Sequence, residues 1–392
     1  MAVVRHLCAR PGLSRADLST NIGLAKSTVN LLVDELLLEG WLVEREVVVT
    51  GDFGRRPTPL FIDPRRLLVL GAELGIDGVR AVITSLTGGV VARTVVGYGS
   101  SRSASACIST LATALLEVHQ QLDRADGRII GIGTGLPGGV DEARGFLHFA
   151  PNLGWRDVPV GALLAERLAG TALEGIPMFV QNEAVVAVLG EMEFDPSQLS
   201  DPLLYLSLNQ GVGAGLIVGD RLVTGSRGFA GQVGHIVLDV DGPPCSCGRH
   251  GCAEVLIGPR SMLSSTEDGS AQTVAEIRRR LDDRHEDTVH AVSKAGHYLG
   301  VLLQNLSSAY DPGCIVLGGA NVDLGDVFLN AAVQTLHAYS AAAGLPPPTV
   351  QTSRYGADSV AVGAAALARY RLTRPRVTSA ASNRGGMTTP RA

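Results

Sequence analysis

Three of the six cysteines, Cys245, Cys247 and Cys252, fall within one short segment, and His235 lies just ahead of them. Three thiolates and one imidazole fill the four tetrahedral positions of a zinc ion and leave none for water, so the set reads as a structural zinc site. Whatever fold the chain adopts must therefore bring residue 235 and segment 245–252 to one point. Gly248 and Gly251 allow so short a loop to turn around the ion, whereas His250, inside the loop, is at poor spacing to compete as a ligand. Cys8, Cys107 and Cys314 stand alone. Six cysteines in 392 residues do not make a disulfide framework, and clustering of this kind fits metal binding in a reducing compartment.

Hydrophobic residues make up 45% and charged residues 18% of the chain, enough for a large core and too ordered a composition for wholesale disorder. No run approaches the ~18 uninterrupted apolar residues of a membrane span. Met1 to Arg10 carries an arginine and a histidine within a short apolar run, without the pattern of a signal peptide. A cytoplasmic protein with no membrane partner is the expectation. The net charge is −5, yet residues 1–66 hold nine basic and eight acidic side chains, so the remainder carries the negative excess. Any nucleic-acid contact belongs at the N-terminus.

The periodicity changes along the chain. Val3, Val4 and Leu7 have helical spacing, and Pro11-Gly12 ends that helix. Ser14 and Asp17 form a capping box for a second short helix to about Thr20, and Asn21-Ile-Gly23 supplies a turn. A longer amphipathic stretch follows, with Val29, Leu32, Val33, Leu36 and Leu37 on one face, ending at Gly40. Residues 41–44 and 46–50 read as a hairpin, and Gly51 to Pro57 as its loop. Beyond Pro64, strands are expected at 67–74, 80–85, 129–134, 203–208, 214–218 and 314–317. They alternate with helices at 105–122, 160–169, 184–193 and 290–309. Residues 373–392, rich in Ser, Thr, Arg and Pro, read as a disordered tail.

Three helices and a hairpin in this order make a winged helix-turn-helix. The longest of the three would enter the major groove by its N-terminus, where Lys26, Ser27, Thr28 and Asn30 lie opposite the apolar face. Lys26 and Ser27 suit phosphates, Thr28 a thymine methyl, and Asn30 a bidentate pair with an adenine edge. Arg55 and Arg56, at the wing tip, would reach the adjacent minor groove.

The runs Leu13-Ser-Arg-Ala-Asp-Leu18, Gly23-Leu-Ala-Lys-Ser-Thr-Val29, Asp34-Glu-Leu36 and Gly54-Arg-Arg-Pro57, with the cysteine motif, resemble ROK-family repressors. Ala25 replaces the family's usual serine cap of the recognition helix. The resemblance implies an α/β chain: a winged helix-turn-helix over 1–62, and a two-lobed actin/hexokinase-like (RNase H-like) effector and dimerisation domain over 63–372. It places Asn152, Asn182, Glu183, Gln232, His235 and Glu254 around a sugar, with His235 also on zinc. Gly211, Gly213 and Gly215 fall in the second phosphate loop of the related kinases.

The same resemblance marks departures from a kinase. Glu183 stands where the kinases have the aspartate base, and the extra methylene displaces the carboxylate. Gln232 replaces a sugar-binding glutamate. Ile76 and Asp77 occupy the first phosphate loop, bringing bulk and negative charge, and Gln210 replaces a threonine in the second. ATP binding and catalysis are thus not expected. The favoured reading is a repressor of carbohydrate genes. It would bind operator DNA as a homodimer or dimer of dimers and respond to a sugar or sugar phosphate; the alternative is an active ATP-dependent sugar kinase.

Overall fold

The computed structural model describes residues 1–45, 58–122, 127–194, 200–263 and 273–374. Three helices open the chain: α1 (Ala2–Ala9), α2 (Arg15–Ile22) and α3 (Lys26–Leu38). Both halves of the expected capping box on α2 are present: the Ser14 side chain accepts from the Asp17 amide, and Asp17 accepts from the Ser14 amide. Gly23 ends the helix in the left-handed region, at φ 72°. Helix α3 starts from Ala25 without a side-chain cap. Val3, Val4, Leu7, Leu18, Val29, Val33 and Leu36 form the core of this head. Arg15 ties its elements together from outside, pairing with Asp34 at 2.7 Å and Glu44 at 3.1 Å.

Strand β1 (Leu42–Glu44) pairs antiparallel with β2 (Leu60–Ile62), which the sequence reading did not anticipate. Three residues leave too short a period to read, and the partner lies beyond the intervening loop. The strand expected at 46–50 and the loop with Arg55 and Arg56 lie outside the described residues.

The body follows with β3 (Leu67–Leu74), β4 (Gly78–Ser85), β5 (Val90–Gly97), α4 (Ala104–Gln120) and β6 (Arg128–Leu136). A small sheet of β7 (Gly139–Asp141), β8 (Phe146–Ala150) and β9 (Trp155–Val158) precedes α5 (Val160–Leu168), β10 (Met178–Asn182) and α6 (Glu183–Phe194). The second half comprises β11 (Leu203–Leu208), β12 (Val212–Val218), β13 (Arg221–Leu222), α7 (Ala253–Ile257), α8 (Pro259–Leu263), α9 (Val274–Asp282) and α10 (Glu286–Tyr310). It ends with β14 (Cys314–Gly318), α11 (Asp326–Ala343), β15 (Thr349–Thr352) and α12 (Ser359–Thr373).

The two five-stranded sheets have orders β5-β4-β3-β6-β10 and β13-β12-β11-β14-β15. In both, the first three strands in chain order are antiparallel, and the fourth and fifth add in parallel. The body is thus one topology used twice, a two-lobed α/β domain. Helices α4 and α5 cover the outer side of the first sheet, and α10 and α11 pack over the second. Helices α6 and α12 fill the space between the lobes: α12 packs on β3 and β6, and α6 on β11 and β12. Residues 359–370 of α12 are all buried, which makes it a central helix rather than an amphipathic one.

Two close approaches permit this. A side chain at Gly133 would collide with the Ala364 carbonyl, and one at Gly363 with the Val186 carbonyl, so the helix lies backbone-near against both neighbours. The expected tail begins too early: Thr373 is the last residue of α12, and Arg374 pairs with Glu193 at 2.7 Å and with Asp220 at 2.8 Å.

The head is not strung on a linker. Its core runs on through Leu67, Val69, Leu86, Ala365 and Ala368 of the body, and α1 touches both α6 and α12.

Candidate functional site

On the head, Lys26, Ser27, Thr28 and Asn30 are all exposed, on the side of α3 away from Val29 and Val33. The chain reading missed Leu31, 72% exposed beside Asn30. The helical period does carry the signal, since the apolar face of Val29, Leu32, Val33, Leu36 and Leu37 leaves Leu31 out.

Between the lobes lies a cavity of about 910 Å³. Asn152, Asn182, Glu183, Gln232, His235 and Glu254 all line it, from a turn after β8, the β10–α6 junction, and the segments around the cysteine loop. Their hydrogen bonds divide them. The Asn182 side-chain oxygen accepts from the amides of Ala184 (2.9 Å) and Val185 (3.3 Å), and its nitrogen donates to the Gly138 carbonyl at 2.9 Å. Asn182 thus caps α6 while lining the cavity. Gln232 donates to the same Gly138 carbonyl at 3.4 Å. Asn152 hydrogen-bonds the Glu254 carboxylate, which also accepts from the Val212 amide.

The three glycines of the second phosphate loop differ. Gly211 closes the β11–β12 turn, where the Asn209 amide donates to its carbonyl at 3.0 Å. A β-carbon there would lie 2.8 Å from Glu254 Oε2 and 3.1 Å from Asn152 Nδ2, so a larger residue would push that pair aside. Gly213 and Gly215 stand on strand β12. A side chain at Gly215 would strike the Ala184 carbonyl, and Gly215 does not line the cavity. Its glycine serves strand–helix packing, a correction to the cradle expected there.

The titratable lining of the cavity is mostly acidic. Glu73, Asp77, Glu183, Glu254 and Asp323 line the cavity, while its one arginine, Arg80, pairs with Asp358 at 3.1 Å. Burial, reinforced by Glu183, pushes the Glu73 carboxyl up to about 8. Burial likewise raises Glu183 to about 7, against a lowering hydrogen bond from Ser207. The sequence did not single out Glu73, nor Arg80, whose partner is 278 residues away.

His235, Cys245, Cys247 and Cys252 converge, with all four ligand atoms within 4.8 Å of one another. Cys247 Sγ lies 3.7 Å from Cys252 Sγ, and Cys245 Sγ is 3.7 Å from His235 Nδ1. Thiolates at ~2.3 Å from a tetrahedral ion stand about 3.8 Å apart, so the donor set fits a metal ion. Gly248 and Gly251 both adopt positive φ, 90° and 61°, as the tight loop requires. His250 is outside the set. Because Cys252 is also the N-cap residue of α7, the centre anchors the helix that carries Glu254.

The ROK family profile matches residues 69–371. A putative xylose repressor from Caldicellulosiruptor sp. (strain Rt8B.4) is 30% identical over 344 residues, 84% of each chain. Among solved structures, a ROK family transcriptional regulator, a homologue of the E. coli MLC protein, superposes with a TM-score of 0.76. It has 22% identity, over 94% of this chain and 95% of that one. A ROK family glucokinase from Streptomyces griseus in complex with glucose and AMPPNP gives 0.68 at 24% identity, covering 99% of the glucokinase but 77% of this chain.

Proposed function

The chain belongs to the ROK family, and from that premise we propose that it is a sugar-responsive transcriptional repressor of carbohydrate genes. The observation that carries this reading is the head: a helix-turn-helix with an exposed polar face, sharing its core with α12 and touching α6, the two helices that begin at the inter-lobe cavity. Glu183 opens α6 and Ser359 opens α12, and both helices run on to the residues beneath α1. A sugar that draws the lobes together shifts α6 against α12, and α1, resting on both, moves with them. Xylose, after which the Caldicellulosiruptor relative is named, is the first effector to test.

The protein acts in the cytoplasm as a homodimer or dimer of dimers on operator DNA. Among the described residues no helix is long and apolar enough to cross a membrane. The cysteine centre holds a structural zinc: His235 binds through Nδ1, leaving Nε2 for a sugar hydroxyl. Asn152, Glu254 and Gln232 supply the other sugar contacts.

Footprinting on the protein's upstream region tests the repressor reading. A protected pseudo-palindrome with half-sites one helical turn or a multiple apart is expected, released by an effector sugar. No protection there or in a genomic selection, with or without sugars, overturns the assignment. Within the head, Asn30→Ala is expected to relax preference at one base position at a cost of ~1–3 kcal/mol.

The cavity does not perform phosphoryl transfer. Glu183 accepts a hydrogen bond from Ser207 and is partly protonated at neutral pH, and Asp77, in the stretch that resembles the kinases' first phosphate loop, lines the cavity. A coupled assay with ATP and glucose, mannose, fructose or xylose is expected to show no turnover. A rate near ~1 s⁻¹ would restore the kinase reading.

A further inference from the structure

A second cavity, of about 1000 Å³, opens on the far side of Glu254, and Ile76, Asn152, Gln210 and Glu254 line both cavities. The two are therefore neighbouring chambers separated by the residues proposed to grip the sugar ring. Their chemistry differs. The first is rich in carboxyls; in the second, Arg260, His290 and Lys294 join the lining, and Glu254 is the only acidic residue among the described ones.

The cations come from two elements. His290, Lys294 and Tyr298 succeed one another at intervals of four along α10, which puts them on one helix face, and Ala291 and Ala295 beside them keep that face low. Arg260 reaches in from α8, just after the helix that carries Glu254. Among the described residues neither Arg260 nor Lys294 has an ion-pair partner within 4 Å. Lys294 is one of only two lysines among the 33 basic residues of the chain. The carboxylate of Glu254 accepts hydrogen bonds from Asn152 and the Val212 amide and feels the charge of Arg260. Pro243, Pro244 and Tyr298 give the second chamber apolar surface against which a sugar ring packs.

We propose that the two chambers together take an acidic saccharide, with a neutral ring at Asn152 and Glu254 and an anionic unit, a uronic acid or a sugar phosphate, held by Arg260 and Lys294. The inference rests on the sugar-sensing reading and specifies its ligand. A single neutral ring leaves the second chamber empty of anything that uses its cations. An anion placed there gains charge-assisted hydrogen bonds in a partly desolvated site.

The test is calorimetric titration of the full-length, metal-loaded protein with xylose, glucose, xylobiose, glucose 1-phosphate and glucuronosyl-xylose, repeated with Lys294→Gln. The expected result is that glucuronosyl-xylose, glucose 1-phosphate or both bind at least ~10-fold tighter than their neutral counterparts. That gain should shrink as salt is raised and disappear in Lys294→Gln, while affinity for the neutral sugar stays within about twofold. If neutral sugars bind and the acidic ones bind no better, or keep their advantage in Lys294→Gln, the charged subsite is overturned and the sugar sensor stands. If no sugar binds, neutral or acidic, the sensor reading fails and this inference with it. Binding of xylobiose as tight as that of glucuronosyl-xylose shows a chamber that selects length and not charge, and overturns the proposal.

Discussion

Protein stripped of its metal, or carrying Cys252→Ala, is expected to lose on the order of 5 kcal/mol or more of stability and all measurable sugar affinity. Metal bound by a closed set of four ligands contributes its binding free energy to folding. Here the ligands span from His235 to Cys252, so the ion closes the whole segment. Backbone bonds also tie its ends, from Leu238 N to Gly251 O and from Ala253 N to Ile236 O, both at 2.8 Å, and Arg249 donates to the His235 carbonyl at 2.9 Å, but each is a single hydrogen bond against four metal ligands. Since Cys252 starts α7, Glu254 moves with it. Elemental analysis of untreated protein should find one zinc per chain, and thermal melts before and after chelation should differ by well over ten degrees. Equal melts, or less than half an equivalent of zinc, would remove the metal from the account of this fold.

The second large effect is expected at Arg369, which is 4% exposed. Its guanidinium pairs with the Glu193 carboxylate at 2.7 Å, donates to the Leu86 carbonyl at 2.6 Å and to the Glu193 carbonyl, and lies over the Phe194 ring. Truncation leaves a buried carboxylate paired with Arg374 and takes the guanidinium donors away from two carbonyls, a loss of about 3–5 kcal/mol. The location makes it more than a stability site. Cys8 of α1 lies in the field of Arg369, Glu193 and Arg374, with burial raising its thiol pKa. This network thus joins the ends of α6 and α12 directly beneath the head. Arg369→Ala is expected to lower the melting temperature by several degrees. It should also weaken the effect of sugar on operator affinity more than it weakens operator affinity itself. A variant that melts lower yet keeps the full sugar response would show that the ion pairs stabilise the protein without carrying the signal.

What could be read in the sequence was local. Strands at 67–74 and 203–208 have the bounds expected of them, because each is a mostly apolar run between turn residues. The cysteine centre was legible for the same reason, since its donors and turn glycines lie within eighteen residues. Helix α12 was not, because a helix buried on every side has no polar stripe to betray its period. Strand β2 was missed because pairing with β1, not its own pattern, makes it a strand. At the site, Asn182 was placed in the right cavity, but its hydrogen bonds depend on Gly138, 44 residues away, and no motif shows that they are committed to a cap. Arg369 and Glu193, 176 residues apart, left no local trace at all.

The shared core beneath α1 bears on how such a regulator can change over generations. A head transplanted from a distant relative would arrive with side chains shaped to someone else's Leu86, Ala365 and Ala368, and the chimaera would either fold poorly or fail to hear its sugar. Head and α12 must be inherited as one piece. The outward face of α3 is under no such obligation: Lys26, Ser27, Thr28 and Asn30 touch nothing in that core, so each can be exchanged without disturbing what lies behind it. Operator choice is free to drift one residue at a time, while the route by which the signal arrives stays fixed.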